Sequence, residues 1–348
     1  MKRLSLVVTL LFMAILSVAR SPYKPAAKLK FGPDGSFKIL VLTDTHYISG
    51  DERSERALSC VKEMLDTEKP DFVIHDGDIV FGAPAGQGVR EIFAPLVERG
   101  IPFAVALGNH DGQFDLNRAE VYEEILKIPG CVNRPASEKG ITGDSNDVLT
   151  LSSSKNPEFV FYLFDSGDIY PMPEEKKKRG YDFIRFDQIQ WYRTLSIRFK
   201  KANGGEPVPS LAFFHIPLPE MAEMLTHKST VMYGNSFEKP APSKINSGLY
   251  AQFREMGDVR AVVNGHEHDC DHVICRGPIA MIYSRFSGGN TVYNHLGIEG
   301  MSDDKVSGAR VFEFHSGDKS FHTWVRLCGG AFQQHLVISP DAITPVGD

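Results

Sequence analysis

Phe37-Lys38-Ile39-Leu40-Val41-Leu42-Thr43, followed at once by Asp44-Thr45-His46, is the stretch on which the fold turns. The apolar, β-branched run predicts a strand buried on both faces, and its exit carries a carboxylate and an imidazole. Working outward, the pattern repeats. Ala57, Cys60, Val61, Met64 and Leu65 lie on one helical stripe. Residues 71–75 predict a second strand ending in Asp76-Gly77-Asp78. Val89, Ile92, Phe93, Leu96 and Val97 form a second helical stripe, and residues 102–107 a third strand that ends in Gly108-Asn109-His110-Asp111. A β-α-β-α-β order implies parallel strands joined by right-handed crossovers. All three exits then share one sheet edge, where open α/β sheets place their ligands.

The pattern continues downstream. Residues 159–164 predict a strand and residues 186–199 a helix. Residues 211–214 predict a strand delivering His215, and residues 259–263 one delivering Gly265-His266-Glu267-His268. Beyond residue 279 the chain reads as strand-rich with Gly turns, suited to closing a second sheet. Residues 20–36, rich in Pro and Lys, read as a linker, and residues 331–348 as a C-terminal tail to a domain over 37–330.

With 42% apolar and 24% charged residues the composition is that of an ordinary globular domain. A formal net charge of -6 gives no basic footprint for duplex DNA or an anionic membrane, so no nucleic-acid partner is expected. Lys2 and Arg3, the apolar run to Ala19 and the small residues Ser17-Val18-Ala19 read as a secretory signal over residues 1–19. An exported protein, periplasmic or secreted, is therefore expected, with no stable membrane insertion once the signal is cleaved. The five cysteines are an odd number for an oxidising compartment; Cys60 is expected as a buried thiol, and Cys270 with Cys275 as a possible local disulfide.

Every strand exit offers carboxylate, amide or imidazole groups, the donors of a hard-to-borderline metal site. Asp44 and His46 stand two apart, so an extended exit points both to one side. Asp78 follows a Gly that permits a sharp turn, and its two oxygens make it the natural bridge between two metals. Asn109 offers a neutral carbonyl oxygen, His110 stands beside it, and His215, His266 and His268 complete the nitrogen donors.

Asp-x-His, Gly-Asp, Gly-Asn-His-Asp, a lone His and Gly-His-x-His in this order resemble the calcineurin-like metallophosphoesterase superfamily. Within it the chain is similar to a purple-acid-phosphatase-related subgroup of bacteria, fungi and plants. The likeness is carried by residues 77–82, 106–111, 213–220 and 246–249. It implies a four-layer α/β/β/α sandwich of two mixed sheets flanked by helices, and two metal ions (Fe, Mn or Zn). One metal would be held by Asp44, His46, Asp78 and His268, the other by Asp78, Asn109, His215 and His266, with His110 a non-ligand that meets the substrate.

Two departures sharpen the expectation. Coloured purple acid phosphatases carry a Tyr ligand where this chain has Phe81, so no Fe(III)-tyrosinate chromophore is expected. The Asp-Arg-Gly of Ser/Thr protein phosphatases is absent, Phe81-Gly82-Ala83 standing in its place. The expected reaction is hydrolysis of a small phosphate ester by a hydroxide bridging the two metals, with Asp78 and His110 catalytic and His110 assisting the leaving group. A phosphomonoesterase is favoured. The alternatives are a phosphodiesterase on nucleotide or lipid-type diesters, and a non-catalytic exported metal-binding module. Tyr47, Asp111, Arg285 and His295 are candidate substrate contacts, but the favoured reading of each is a structural residue supporting the ligands.

Overall fold

The computed structural model describes residues 24–136, 140–172, 179–289, 291–292 and 307–347. Residues 1–19, expected as a signal, and His295 lie outside them. In chain order the strands are β1 (Ala27–Lys30), β2 (Ser36–Leu42), β3 (Phe72–Asp76), β4 (Phe103–Ala106), β5 (Asp147–Ser152), β6 (Phe159–Leu163), β7 (Ile169–Pro171) and β8 (Arg179–Tyr181). They continue as β9 (Ser210–Phe213), β10 (Val231–Tyr233), β11 (Val259–Asn264), β12 (Val273–Cys275), β13 (Ala280–Tyr283), β14 (Gly308–His315), β15 (Phe321–Leu327), β16 (Phe332–Ile338) and β17 (Ile343–Pro345). The helices are α1 (Glu55–Glu68), α2 (Ala85–Arg99), α3 (Arg118–Leu126), α4 (Phe186–Ala202), α5 (Pro219–Leu225) and α6 (Leu249–Met256).

Two sheets result. The seven-stranded sheet runs β17-β16-β15-β14-β2-β3-β4 and the eight-stranded sheet β1-β5-β6-β9-β11-β13-β12-β10. β2, β3 and β4 pair in parallel, as the β-α-β-α-β order requires. The double-sided burial of β2 explains its unbroken apolar run. Leu40 and Leu42 pack under α1 and α2, while Ile39 and Val41 face the other sheet. Phe161, Leu163, Phe213 and Val263 come from the eight-stranded sheet into that same interlayer core. On its far face Trp191, Tyr192 and Phe253, from α4 and α6, cover Tyr162 and Phe214. Helix, sheet, sheet, helix is the expected four-layer order.

Two expectations are corrected at the ends. The linker over 20–36 contains β1, paired in parallel with β5, because Leu29 packs on the interlayer core while Lys28 and Lys30 face solvent. Alternating Lys is what an edge strand uses to discourage further pairing. The tail over 331–348 contains β16 and β17, antiparallel additions to β15 whose Leu336 and Ile338 complete the interlayer core. None of the five cysteines is in a disulfide. Cys270 and Cys275 do not form the local bridge: Cys270 is buried with its thiol on the Glu238 carbonyl at 3.2 Å, and Cys275 donates to the Gly277 carbonyl at 2.8 Å.

At the junction of β12 and β13 a buried polar network ties the layers. Arg310 donates to the Tyr283 carbonyl at 3.1 Å and to Gln334 at 2.9 Å, and Gln334 donates to Asp271 at 2.7 Å. His272 sits beside it, its Nδ1 3.1 Å from the Asn235 carbonyl, and burial pushes its imidazole down to about 4. Unfolding returns it to about 6.5, so the neutral ring favours the folded state above that pH and loses this advantage as pH falls through 4. The stability advantage of the wild type over His272→Asn, read from urea midpoints, should therefore shrink below pH 6.5 by about 1.4 kcal/mol per pH unit. An advantage that grows on acidification would contradict the assignment.

Candidate metal centre

The donors converge at the carboxyl ends of β2, β3 and β4 from one sheet and of β9 and β11 from the other. The exit loops of β2 and β3 are laced together: Asp44 N–H donates to the Gly77 carbonyl and His46 N–H to the Asp78 carbonyl, both at 3.0 Å. The backbone there is strained. Asp44 (φ 53°), His46 (42°), Asp78 (52°) and His266 (80°) all adopt the left-handed region, and among the described residues only Lys69 and Gln334 are other non-glycine cases. Each such residue costs about 1–3 kcal/mol, and the cost is typical of sites that must aim a side chain. Glycines make room, Gly77 and Gly108 among them. Gly77 has φ 87°, and a Cβ there would lie 2.6 Å from His215 Nδ1; a Cβ on Gly108 would overlap Asp78 N and Oδ1.

Three donor groups follow, each with its atoms within 4.8 Å of one another: Asp44 with His46 and His268, Asp78 with His215 and His266, and His46 with Asp78 and His110. Asp78 Oδ2 lies 3.0 Å from His215 Nε2 and 3.3 Å from His46 Nε2, so one carboxylate faces both sides. Asp44 Oδ1 lies 3.3 Å from His268 Nε2 and 3.7 Å from His215 Nε2. The structure thus brings Asp44, His46, Asp78, His110, His215, His266 and His268 within reach of one another, and Asn109, next to His110 in the chain, is buried.

The donors do not satisfy one another. His46 Nδ1 and Asn109 Oδ1 are buried without a hydrogen-bond partner, and His46 Nε2 and His215 Nε2 both face the one Asp78 oxygen. Orphaned buried polar atoms are costly, and a cluster of them with N and O character fits a metal. His215 is set for this role: its Nδ1 lies 2.7 Å from the Asp76 carbonyl, which fixes that nitrogen as the donor and leaves Nε2 for a ligand. The electrostatics agree. Burial pushes the Asp44 and Asp78 carboxyls up, but the neighbouring histidines outweigh it and hold both below the usual range. Burial lowers His215, yet Asp78 and Asp44 raise it to about 10, while burial dominates at His266 and takes it down to about 3. The Asp44 and Asp78 carboxylates thus set negative charge against the histidine nitrogens, as a cation site requires.

The candidate substrate contacts divide. Asp111 is buried and its oxygens accept from Asp78 N at 3.0 Å, Ile79 N at 2.7 Å, Val80 N at 3.2 Å and Gly108 N at 2.8 Å. It braces the exits of β3 and β4 and has nothing left for substrate. Arg285 is buried with Asp271, 3.3 Å away, and Tyr47 is buried beside Glu91. Arg118 and Asp165 escaped the sequence reading. Arg118 donates to the Gly108 carbonyl and pairs with Asp165, whose Oδ2 accepts from Asp144 N at 2.8 Å. An Arg at a helix start reads as surface charge, and only the fold shows what it locks.

Residues 37–270 match the model of the calcineurin-like phosphoesterases. The chain belongs to that family. It is 31% identical over 305 residues to "Probable inactive purple acid phosphatase 29" of Arabidopsis thaliana, covering 77% of each chain. It is 28% identical to the phosphatase DCR2 of Saccharomyces cerevisiae over 341 residues, 87% of this chain and 56% of that one. Among solved structures, a dimetal phosphatase from Danio rerio superposes with a TM-score of 0.55 at 13% identity, over 88% of this chain and 99% of that one, a likeness of fold. This calcineurin-like phosphoesterase is a metal-dependent phosphoric ester hydrolase with donor clusters for two metal ions.

Proposed function

We propose that the chain hydrolyses phosphomonoesters, with Asp44, His46, Asp78 and His268 holding one metal, Asp78, Asn109, His215 and His266 the other, and His110 serving the leaving group. The observation that carries this reading is Asp78 Oδ2, in contact range of histidines from both clusters, with half-buried His110 beside it. Two metals so placed supply Lewis-acid polarisation of the phosphoryl oxygens and an activated water. The protein's own part is to aim and to protonate. His110 N–H donates to Asp78 Oδ1 at 2.7 Å, which ties the acid to the bridge. Its Nδ1 lies 2.8 Å from Gln113 Oε1, an acceptor for an Nδ1 proton, which leaves Nε2 as the ring nitrogen that can meet the leaving oxygen. The donor set is nitrogen and oxygen without thiolate, which suits Fe, Mn or Zn, and Phe81 leaves no phenolate to colour a ferric ion.

A small phosphorylated molecule is the proposed partner. Export is proposed on the composition of residues 2–19; among the described residues no helix is long and apolar enough to cross a membrane. The test is hydrolysis of 4-nitrophenyl phosphate and bis(4-nitrophenyl) phosphate after loading with Zn, Mn or Fe, with bound metal counted by mass spectrometry. A monoester rate at least tenfold above the diester rate is expected. Faster diester cleavage would make the protein a phosphodiesterase, and no turnover with any metal would leave a metal-binding module.

A further inference from the structure

Beside His110 the surface is aromatic. Phe81 meets the His110 ring edge-on with centroids 5.0 Å apart, and the His46 ring edge-on at 5.3 Å. Phe114 then meets Phe81 edge-on at 5.3 Å and is itself 43% exposed. A single exposed Phe needs no explanation. Here the exposed ring is the outer end of an apolar ledge that runs from solvent to the proposed proton donor. Phe114 is absent from the three buried core clusters, so its packing serves none of them.

Charge near the centre narrows what the ledge can receive. Arg118 is committed to Asp165 and the Gly108 carbonyl, and Arg285 is paired with Asp271. Neither is offered to a second phosphate. Gln113, between His110 and Phe114 in sequence, has its Oε1 on His110 and its Nε2 3.4 Å from the Asn109 carbonyl. The described groups next to His110 therefore favour a flat apolar body over a polyanion. At the other cluster Tyr181 stands edge-on to His266 at 4.4 Å, a second ring at the rim.

We infer that Phe81 and Phe114 form the leaving-group subsite and that the ester is one whose alcohol carries an aromatic ring next to the phosphoryl group. The inference rests on the proposed phosphoesterase reading, because it takes His110 as the group facing the leaving oxygen. Rings at centroid separations of roughly 4.5–7 Å gain about 0.5–1.5 kcal/mol over area burial alone, which corresponds to a preference of roughly two- to tenfold.

Calorimetric titration of the Zn-loaded full chain with phenylphosphonate and methylphosphonate, neither of which can be hydrolysed as an ester, tests this directly. The wild type should bind the phenyl compound about fivefold tighter or better. Phe114→Ala should bring the ratio below about twofold, and Phe114→Trp should keep it. A wild type without preference, a ratio unmoved in Phe114→Ala, or no binding of either compound overturns the subsite. Turnover of 4-nitrophenyl phosphate is scored separately. A phenyl preference without turnover keeps Phe81 and Phe114 as an aromatic-binding ledge but overturns both the hydrolysis reading and the leaving-group role; turnover without preference keeps hydrolysis and overturns the ledge.

Discussion

Asp78→Asn is expected to lower turnover of 4-nitrophenyl phosphate by roughly a thousandfold and to reduce bound metal from two ions to one or fewer. The substitution is nearly isosteric and keeps an oxygen at Oδ1, so the bond from His110 N–H at 2.7 Å survives. What changes is Oδ2, the atom 3.0 Å from His215 and 3.3 Å from His46. As an amide nitrogen it carries no charge and no lone pair for a metal, and the proposed shared ligand would be gone. Losing several kcal/mol of Lewis-acid stabilisation corresponds to about three powers of ten in rate. Metal analysis, turnover and circular dichroism on the same preparation decide it. Two metals retained with activity within tenfold of wild type would remove Asp78 from the bridge.

The second large effect belongs to His110. Replacing it with Asn should leave two metals bound and lower kcat by roughly a hundred- to ten-thousandfold on an alkyl phosphate, whose alkoxide must be protonated as it departs. On 4-nitrophenyl phosphate, whose phenolate leaves unaided, the loss should be at least tenfold smaller. That contrast separates a proton donor from a residue that only positions phosphate, which would lower both rates alike. His110 is half-buried at the rim, so the fold should tolerate the change. Equal losses on the two esters, or loss of metal, would assign it another role.

Much of this centre was readable because short loops leave ligands where strands deposit them. The runs before Asp44, Asp78 and Asn109 are apolar on both faces, and two covered faces are what a strand between layers has. What escaped reading depends on distant partners. β1 alternates small or apolar residues with Lys and looks like solvent-facing chain until β5 lies beside it. β16 carries Gln333, Gln334 and His335, a polar sequence, because Gln334 serves Arg310 and Asp271 inside the molecule. Asp111 reads from its motif as a structural residue beside the ligands, but not as the acceptor of four backbone N–H groups, a demand no local pattern records. Arg285 was legible as a charge near the site, but its partner Asp271 is only brought to it by the packing of β12 against β13.

The position of β2 has a consequence for how the molecule comes into being. Its neighbours are β3, made soon after it, and β14, made near the end of the chain. Through most of synthesis β2 therefore presents an open edge, the kind of template that invites wrong partners. The donors have the same timetable: Asp44 to Asn109 emerge early, and His215, His266 and His268 late. Contacts this far apart in sequence close slowly. A metal met by the nascent chain finds only half a site, so the complete centre can form only after both sheets have closed.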